Sequence, residues 1–199
     1  MSRRFAPSAA RNRDPILEVL RHHVPRSGLV LEIASGTGEH AVHFAQHLGP
    51  ELVFQPTDPS EDALSSIDAW VKHAELPNLQ APVKFDVTDD TWPVEKASAV
   101  LCINMIHIAP WDAAADLISG AGSILEPGGL LIFYGPYKRG GVHTAPSNEA
   151  FDLDLRARNP LWGVRDLEDV TKLAASHGFG APIIEQMPAN NLTVIFKLL

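Results

Sequence analysis

Short apolar runs alternate with helical patterns along most of this chain, and this alternation restricts the fold more than any other feature. The run from Gly28 to Ile33 ends before two glycines and precedes a helical pattern from Ala41 to Leu48. Leu52 to Asp58 and a capped helix from Ser60 to Val71 repeat that unit. Further elements are predicted at Val83 to Val87, Ala97 to Ile103 and Gly129 to Tyr134 as strands, and at about Trp111 to Leu125 as a helix. This alternation predicts a doubly wound, Rossmann-like α/β fold with helices on both faces of the sheet.

Both ends of the chain add elements to this pattern. At Asp14-Pro15, a capping acid and a proline before spaced apolar residues predict the start of a helix. A helix from Asp166 to His177 is followed by strands from about Pro182 to Met187 and from Leu192 to Leu198, whose short connection is typical of a hairpin. We therefore predict a seven-stranded sheet, mostly parallel, with an antiparallel last strand.

The stretch from Gly135 to Arg165 interrupts the alternation. It is rich in Gly, Pro, His and Asn, and only Asn148 to Arg158 has a helical pattern. A chain of 199 residues has room for one sizeable core, so we expect a single domain over residues 1–199. Within it, residues 135–165 are expected to form a substrate-side insert or lid, together with the segment from Arg3 to Asn12.

Charge and composition restrict the partners. The formal net charge of −8 argues against nucleic acid as a substrate, because phosphate backbones require a concentrated positive surface. No apolar run is long enough to cross a membrane, and the basic N-terminus is not followed by the apolar stretch of an export signal. The single Cys102 excludes an intramolecular disulfide and lies in a predicted buried strand. We expect a cytoplasmic protein with a small-molecule partner, and its oligomeric state stays open.

Gly36 and Gly38 lie between the first predicted strand and its helix. Backbone approaches a ligand closely at such a position, and the amide groups of the helix point toward the ligand. Asp58 follows twenty residues beyond Gly38, at the end of the second strand, where a carboxylate can accept hydrogen bonds from two ribose hydroxyls. The combination predicts a site for a nucleotide-like ligand.

Two cofactor classes fit these residues. The spacing Gly36-x-Gly38-x-x-Ala41 also matches the dinucleotide-binding pattern, so a nicotinamide cofactor stays an alternative. Glu32 immediately before the loop favours a different ligand, because a carboxylate repels a pyrophosphate and attracts an ammonium group. Asp86 at the end of the third strand and the closing hairpin favour the same choice.

The segment Glu32-Ile33-Ala34-Ser35-Gly36-Thr37-Gly38 resembles the first motif of class I S-adenosylmethionine-dependent methyltransferases. Ala34 departs from the more common glycine and would be strained at a positive φ. By this resemblance, Glu32 orients the methionine part of S-adenosylmethionine, Gly36 and Gly38 admit the cofactor, Asp58 holds the ribose, and Asp86 bonds the adenine amine. The cofactor site implied by the resemblance comprises Glu32, Ala34, Ser35, Gly36, Thr37, Gly38, Asp58, Asp86, Val87 and Asn104.

A closer resemblance extends over nearly the whole chain. Five motifs occur in the order found in domain-of-unknown-function family 938, the group that includes methyltransferase-like protein 26. They are Arg11 to Leu17, Leu101 to His107, Tyr134 to Tyr137, Arg158 to Gly163 and Met187 to Asn191. The resemblance implies the methyltransferase fold but no particular substrate.

The substrate is expected at the carboxyl ends of the fourth and fifth strands, where ligands bind in parallel sheets. Asn104 is a candidate for bonding the cofactor amino group or a substrate oxygen. His107 is a candidate base because imidazole titrates near neutrality, and a packing histidine is its alternative. Tyr134 and Tyr137 offer aromatic faces or hydroxyls, with Tyr134 also a candidate catalytic residue.

Further substrate candidates are Asn12 near the N-terminus and Asn148, Asp152 and Arg165 in the interrupting stretch. Asn148, Asp152 and Arg156 share one face of the predicted helix. For that face, we favour solvent exposure over substrate contact.

Other chemistries find little support. His40, His43 and His47 recur on one helix, but neither cysteine pairs nor a paired-histidine metal motif accompany them, so no metal is predicted. No nucleophile elbow is present. The leading hypothesis is therefore a methyltransferase that uses S-adenosylmethionine, with a nicotinamide-dependent oxidoreductase and a noncatalytic binding or adaptor protein as the alternatives.

Overall fold

A seven-stranded sheet forms the centre of the molecule, which a computed structural model describes over residues 2–199. The strands of the sheet are β1 (Gly28–Ile33), β2 (Leu52–Asp58), β3 (Val83–Lys84), β4 (Ala97–Ile103), β5 (Leu125–Gly135), β8 (Ile183–Met187) and β9 (Asn191–Lys197). Their order is β3-β2-β1-β4-β5-β9-β8, with β9 antiparallel to both of its neighbours and the other pairs parallel. The predicted Rossmann-like fold with an antiparallel last strand is confirmed.

Helices cover both faces of this sheet. They are α1 (Pro7–His23), α2 (Glu39–His47), α3 (Glu61–Ala74), α4 (Trp111–Ile124) and α6 (Leu167–Ser176), while α5 (Pro146–Arg158) lies in the interrupting stretch and contributes to neither core cluster. Successive strand residues point to opposite faces, so Val30 packs with the cluster of α1 and α2 while Leu31 packs with the cluster of α4 and α6. Two apolar cores, one on each face, therefore hold the sheet, and no helix of residues 2–199 is long and apolar enough to cross a membrane.

The first helix begins eight residues earlier than predicted. Pro7 occupies its first turn after Ala6, and Pro15 lies inside the helix rather than at its start. The Asp14-Pro15 signal is misleading because a proline in a helix interior costs one hydrogen bond, a loss that packing can offset. Ala9, Ile16 and Leu17 of this helix are buried. Within the segment from Arg3 to Asn12, which is predicted to be part of a lid, the chain is thus helical from Pro7 onward.

Two other elements differ in extent. Strand β3 ends at Lys84 rather than Val87, because Asp86 and Asp89 form a tight turn: Asp86 Oδ1 accepts from the amide of Thr88, and Asp89 accepts from the amide of Asp86. The interrupting stretch contains a β-hairpin, β6 (Lys138–Arg139) with β7 (Val142–His143), followed by α5. It is more regular than its composition predicts.

The strand order reverses between β1 and β4. The chain leaves β1 toward β2 on one side, and β4 is added on the other side. At such a switch point, the loops after the two strands separate and leave a crevice at the carboxyl edge of the sheet. The loops at residues 34–38 and 104–110 therefore frame a natural ligand site.

Candidate functional site

The loop after β1 turns through three residues with positive φ. Ala34 has φ +53°, Gly36 +59° and Gly38 +89°. The amide of Ser35 donates to the Thr57 carbonyl at 2.8 Å, which ties the loop to β2. Ala34 is therefore held in the left-handed region that was expected to strain it.

The two glycines of this loop have different surroundings. Gly36 lines the crevice, and a Cβ atom added there would meet no atom within 4 Å. At Gly38, an added Cβ would lie 3.0 Å from Cα of Ile67 in α3. Gly36 thus provides open space beside the crevice, whereas Gly38 allows the loop to pack closely against α3. Gly38 is not among the residues that line the crevice.

Asp58 ends β2 beside this loop. Its Oδ2 accepts from the amide of Gly36 at 2.9 Å, and its Oδ1 accepts from the amide of Ser60 at 2.9 Å. Two amide donors fix the carboxylate, which is 7% exposed and lines the crevice. A fixed acceptor at this place can receive hydrogen bonds from a diol.

The first cavity, as we call this crevice, has a volume of about 660 Å³, a size typical of small-molecule sites. Its residues are Ile33, Ala34, Gly36, Asp58, Pro59, Phe85, Asp86, Val87, Thr88, Met105, Ile108, Ala109, Pro110, Asp112, Ala113 and Trp162. Phe85 and Val87 contribute buried apolar surface on either side of the exposed Asp86. The cavity therefore combines a largely apolar wall with three carboxylates and no basic side chain.

Glu32 is buried in β1 next to this loop, at 2% exposure, and does not line the first cavity. Its Oε2 has no hydrogen-bond partner among the described residues. Burial raises the pKa of Glu32 to about 7, with a hydrogen bond from Ser35 lowering it and the nearby charge of Asp58 raising it further. The unpartnered carboxylate oxygen is an acceptor without a donor.

Ser35 and Thr37 direct their side chains into the protein rather than into the cavity. The hydroxyl of Ser35 accepts from the amide of Thr57, and the hydroxyl of Thr37 donates to Glu39 at 2.9 Å. Neither residue lines the first cavity. Among the predicted cofactor residues, the structure brings together Ala34, Gly36, Asp58, Asp86 and Val87.

A second cavity of about 890 Å³ adjoins the first. It is lined by Ser8, Arg11, Asn12, Pro15, Asn104, Ile108, Tyr134, Pro136, Ser147, Asn148, Phe151, Pro188, Ala189 and Asn191. Ile108 lines both cavities, and Asn104 and Met105 are consecutive residues that line the second and the first. The loop after β4 thus contributes residues to the walls of both cavities.

Tyr134 and Asn12 meet in this second cavity. Burial raises the pKa of Tyr134, and a hydrogen bond from Asn12 and the charge of Arg11 partly offset that rise. Asn12 Oδ1 lies 2.8 Å from Nε2 of His40. Burial lowers the pKa of His40 to about 4, so the ring is neutral at physiological pH and donates to Asn12. Tyr134 therefore stays protonated at neutral pH, and His40 holds the Asn12 side chain beside it.

His107 and Tyr137 lie behind the loops rather than in either cavity. Both are at most 1% exposed, and their rings form an edge-to-face pair with centroids 5.2 Å apart. Burial and the charge of Arg165 lower the pKa of His107 to about 3. An enclosed imidazole that is so weakly basic is unsuited to proton transfer, and we interpret His107 and Tyr137 as packing residues.

Asp152 is buried at 4% exposure, so the interpretation of its helix face as solvated is wrong for this residue, as it is for Asn148 at 4%. Burial alone would raise the pKa of Asp152, but hydrogen bonds from the Val164 amide, Lys138 and Arg156 lower it. Lys138 Nζ and His143 Nε2 lie 3.1 and 3.2 Å from its Oδ2. Asp152 therefore joins the β6–β7 hairpin to α5 and lines neither cavity.

Arg165 also has a structural role. Its guanidinium donates to the carbonyls of Ile106, Ala109 and Leu161, and it lies over the ring of Trp111. These bonds attach the end of the interrupting stretch to the loop after β4. Arg165 lines neither of the two adjoining cavities.

Sequence reasoning missed several lining residues. In the first cavity these are Ile108, Asp112 and Trp162, and in the second they are Arg11, Ser147, Phe151 and Asn191. Arg11, Trp162 and Asn191 fall within the motifs that carry the family resemblance, which was a usable signal. The remaining four carry no local pattern that separates them from ordinary surface residues.

The histidines of α2 form separate contacts. His43 Nε2 lies 2.8 Å from Asp14 Oδ1, and His47 Nδ1 bonds the His43 carbonyl. Within residues 2–199, no group of three or more histidine, cysteine or acidic side chains is arranged to hold a metal ion. Cys102 is buried in β4, and burial raises its pKa to about 12.

Solved structures share this architecture. A putative O-methyltransferase from Nostoc punctiforme superposes with a TM-score of 0.83 at 16% identity, over 96% of this chain and 57% of that protein. An O-methyltransferase family 2 protein from Planctomyces limnophilus, solved with apigenin, gives 0.79 at 17% identity over 96% and 60%. Human N-acetylserotonin methyltransferase, solved with S-adenosylmethionine, gives 0.78 at 14% identity over 96% and 52%.

These likenesses show the class I methyltransferase fold. The chain spans only a little over half the length of the solved proteins it matches. The family described as protein of unknown function (DUF938) matches residues 3–198, and this chain therefore belongs to that family.

Proposed function

We propose that this protein is an S-adenosylmethionine-dependent methyltransferase with a small-molecule acceptor. The observation that carries the proposal is the pair of adjoining cavities at the switch point of the sheet, one lined by Gly36, Asp58 and Asp86 and the other by Asn104 and Tyr134. A transferase needs two sites that meet, one for the donor and one for the acceptor. Membership of the methyltransferase-like protein 26 group is part of the same proposal.

The first cavity fits the chemistry of the cofactor. Gly36 leaves open space at the backbone, and the fixed carboxylate of Asp58 suits the ribose hydroxyls. Asp86 suits the adenine amine, and the buried flank of Val87 suits the faces of the ring. The unpartnered Oε2 of Glu32 is an acceptor that an ammonium group would satisfy, directly or through water.

Bound S-adenosylmethionine supplies an electrophilic methyl group on a sulfonium. The residues of the second cavity would then position the acceptor, since alignment alone removes much of the barrier to an in-line displacement. Tyr134 is protonated at neutral pH and so donates a hydrogen bond rather than taking up a proton. Asn104, Asn12 and Asn148 add amide groups to the same lining.

Two observations bear on the alternatives. Glu32, when ionised, and the carboxylates of the first cavity disfavour the pyrophosphate of a nicotinamide cofactor. The burial of His107 leaves the second cavity without the predicted base. This second observation favours a noncatalytic binding protein, or an acceptor whose nucleophile arrives deprotonated.

Calorimetry with S-adenosylmethionine and S-adenosylhomocysteine tests the proposal. We expect both to bind, and Asp58→Ala to weaken binding at least tenfold. Asp62→Ala removes the same charge from the exposed first turn of α3 and serves as the control. Absence of binding to the folded wild-type protein would overturn the proposal, and stabilisation by NAD(P) alone would favour the oxidoreductase. Binding without transfer to a broad acceptor panel would favour the noncatalytic alternative.

A further inference from the structure

The lining of the second cavity carries a positive formal charge, although the protein as a whole is acidic. The chain carries 24 acidic against 16 basic residues, yet the only formally charged residue of this lining is Arg11. No carboxylate lines the cavity. An ammonium or other cationic group would therefore meet a positive charge there with nothing to balance it.

Arg11 lies on α1, whose position is fixed by contacts on both sides of it. Towards the N-terminus, the amide of Ala6 donates to Glu39 at 2.6 Å, and towards the C-terminus the buried Ile16 and Leu17 anchor the helix. The Arg11 guanidinium forms no ion pair with a carboxylate of residues 2–199. It lies near enough to Tyr134 for its charge to lower the pKa of that hydroxyl. The helix is fixed, and the exposed side chain of Arg11 on it is a cation without a carboxylate partner in the lining of the cavity.

The rest of the lining fits an organic anion. The hydroxyl of Ser8 and the side-chain amide of Asn12 can donate hydrogen bonds to acidic oxygens. Phe151 and Pro188 supply apolar surface for a carbon skeleton. A guanidinium pairs with carboxylate or phosphate through two parallel hydrogen bonds, which gives direction as well as affinity.

We propose that the methyl acceptor is a small organic acid, with an apolar skeleton and a carboxylate or phosphate group that Arg11 binds. This inference rests on the proposed function and adds the chemical class of the acceptor. It also assigns Arg11 as a residue that determines specificity, since an uncharged or cationic analogue loses this contact.

Ligand-observed NMR with S-adenosylhomocysteine present tests the class of acceptor. The probes are matched sets: 4-hydroxybenzoate with 4-hydroxybenzamide, indole-3-acetate with indole-3-acetamide, and phenyl phosphate with phenol, with tyramine as the cation. We expect at least one acid to bind at least tenfold more tightly than its neutral partner, and tyramine not to bind. The carboxylate and phosphate sets distinguish the two acidic groups.

Variants at position 11 test whether the charge of Arg11 contributes to binding of the acid. Arg11→Gln is expected to weaken binding of the acid about tenfold and to leave its neutral partner unchanged, while Arg11→Lys retains part of the affinity. Arg26→Gln removes the same charge from an exposed arginine outside the cavity and is expected to change neither. Calorimetry should give the same affinity for S-adenosylhomocysteine in all three variants.

The outcomes separate the two proposals. Equal binding of acids and neutral partners, no effect of Arg11→Gln, or binding of no acid would overturn the assignment of the acceptor class, provided that S-adenosylhomocysteine binds. If S-adenosylhomocysteine itself does not bind to the wild-type protein, the proposed function fails, and the acceptor class fails with it.

Discussion

Among single residues, Ala34 and Glu32 both occupy positions that lower the stability of the folded chain. Ala34 has the left-handed backbone for which glycine is the usual residue, and Glu32 is buried with an oxygen that lacks a partner. Both lie beside the first cavity. Strain and unpaired polar groups of this kind concentrate at ligand sites, which agrees with the function proposed for this loop.

Ala34→Gly is expected to stabilise the protein by about 0.5–1 kcal/mol. Glycine removes the cost of the left-handed backbone, about 1–2 kcal/mol. Part of this gain is offset because glycine gives the unfolded chain more conformational entropy. Urea denaturation measures the change. Ala10→Gly, on the exposed face of α1, is the matched control and should destabilise by about 1 kcal/mol. Destabilisation by both substitutions would contradict this account of Ala34.

Glu32→Gln is expected to stabilise the protein more at pH 8 than at pH 5, by about 2 kcal/mol. The folded-state pKa of about 7 exceeds the ordinary value of 4.5, so the wild-type protein loses stability as the pH rises from about 4.5 to about 7. Above that range the whole penalty is present, and glutamine abolishes it. Denaturation of both proteins at the two pH values measures the difference.

Glu51→Gln is the control for this experiment, because Glu51 is exposed. Its effect on the free energy of unfolding should stay within about 0.5 kcal/mol at both pH values. A pH-independent effect of Glu32→Gln would mean that Glu32 is not titrating near neutrality.

Among the elements, the glycine loop is held by α3 and by the segment before α1. Ser66 of α3 donates to the Thr37 carbonyl and accepts from the amide of Arg4, both at 2.8 Å. Glu39 at the start of α2 accepts from Thr37 and from Ala6. These bonds link the glycine loop to α1, the helix whose Asn12 lines the second cavity.

Substitution of the two glycines of the loop is expected to affect stability and ligand binding differently. Gly38→Ala forces a Cβ against the backbone of Ile67 and should destabilise the protein by about 2–4 kcal/mol. Gly36→Ala has open space, should cost only about 1 kcal/mol, and should weaken binding of S-adenosylhomocysteine because its methyl group enters the first cavity. Urea denaturation and calorimetry separate the two effects. Equal losses of stability would refute the distinction.

In the whole molecule, residues 135–165 contribute to both cavities. Trp162 lines the first, while Asn148 and Phe151 line the second. Asp152 pairs with Lys138 within this stretch, and Arg165 bonds the stretch to the loop after β4. The stretch is therefore placed to respond to a ligand in either cavity, which keeps its predicted role as a lid open to test.

If this stretch is a lid, S-adenosylhomocysteine should slow tryptic cleavage after Arg139 and Arg158. Both side chains are partly exposed, and ligand contact with Trp162 would hold the segment that carries them. Mass spectrometry of a cleavage time course gives the rates, with the exposed Lys172 of α6 as an internal reference. Rates at the two arginines that do not change relative to Lys172 would count against a lid.

The architecture and part of the lining of the first cavity follow from the amino-acid sequence. The period of the apolar residues identifies strands and helices, because each element must bury one face. The order of the elements then restricts the possible topologies of the sheet. Gly36, Asp58 and Asp86 are positioned by the strand ends that precede them, so local pattern was sufficient to place them. The family motifs along the chain also predict the methyltransferase fold.

The lining of the second cavity follows only from the tertiary structure. Tyr137 carries the same side chain as Tyr134, and His107 was an equally plausible candidate from the sequence, but only long-range packing determines which of them reaches a cavity. The sequence pattern starts α1 at Asp14-Pro15, whereas the helix extends back to Pro7 and so brings Arg11 to the second cavity. Burial and proximity depend on contacts between residues far apart in the chain, and no local spacing records them.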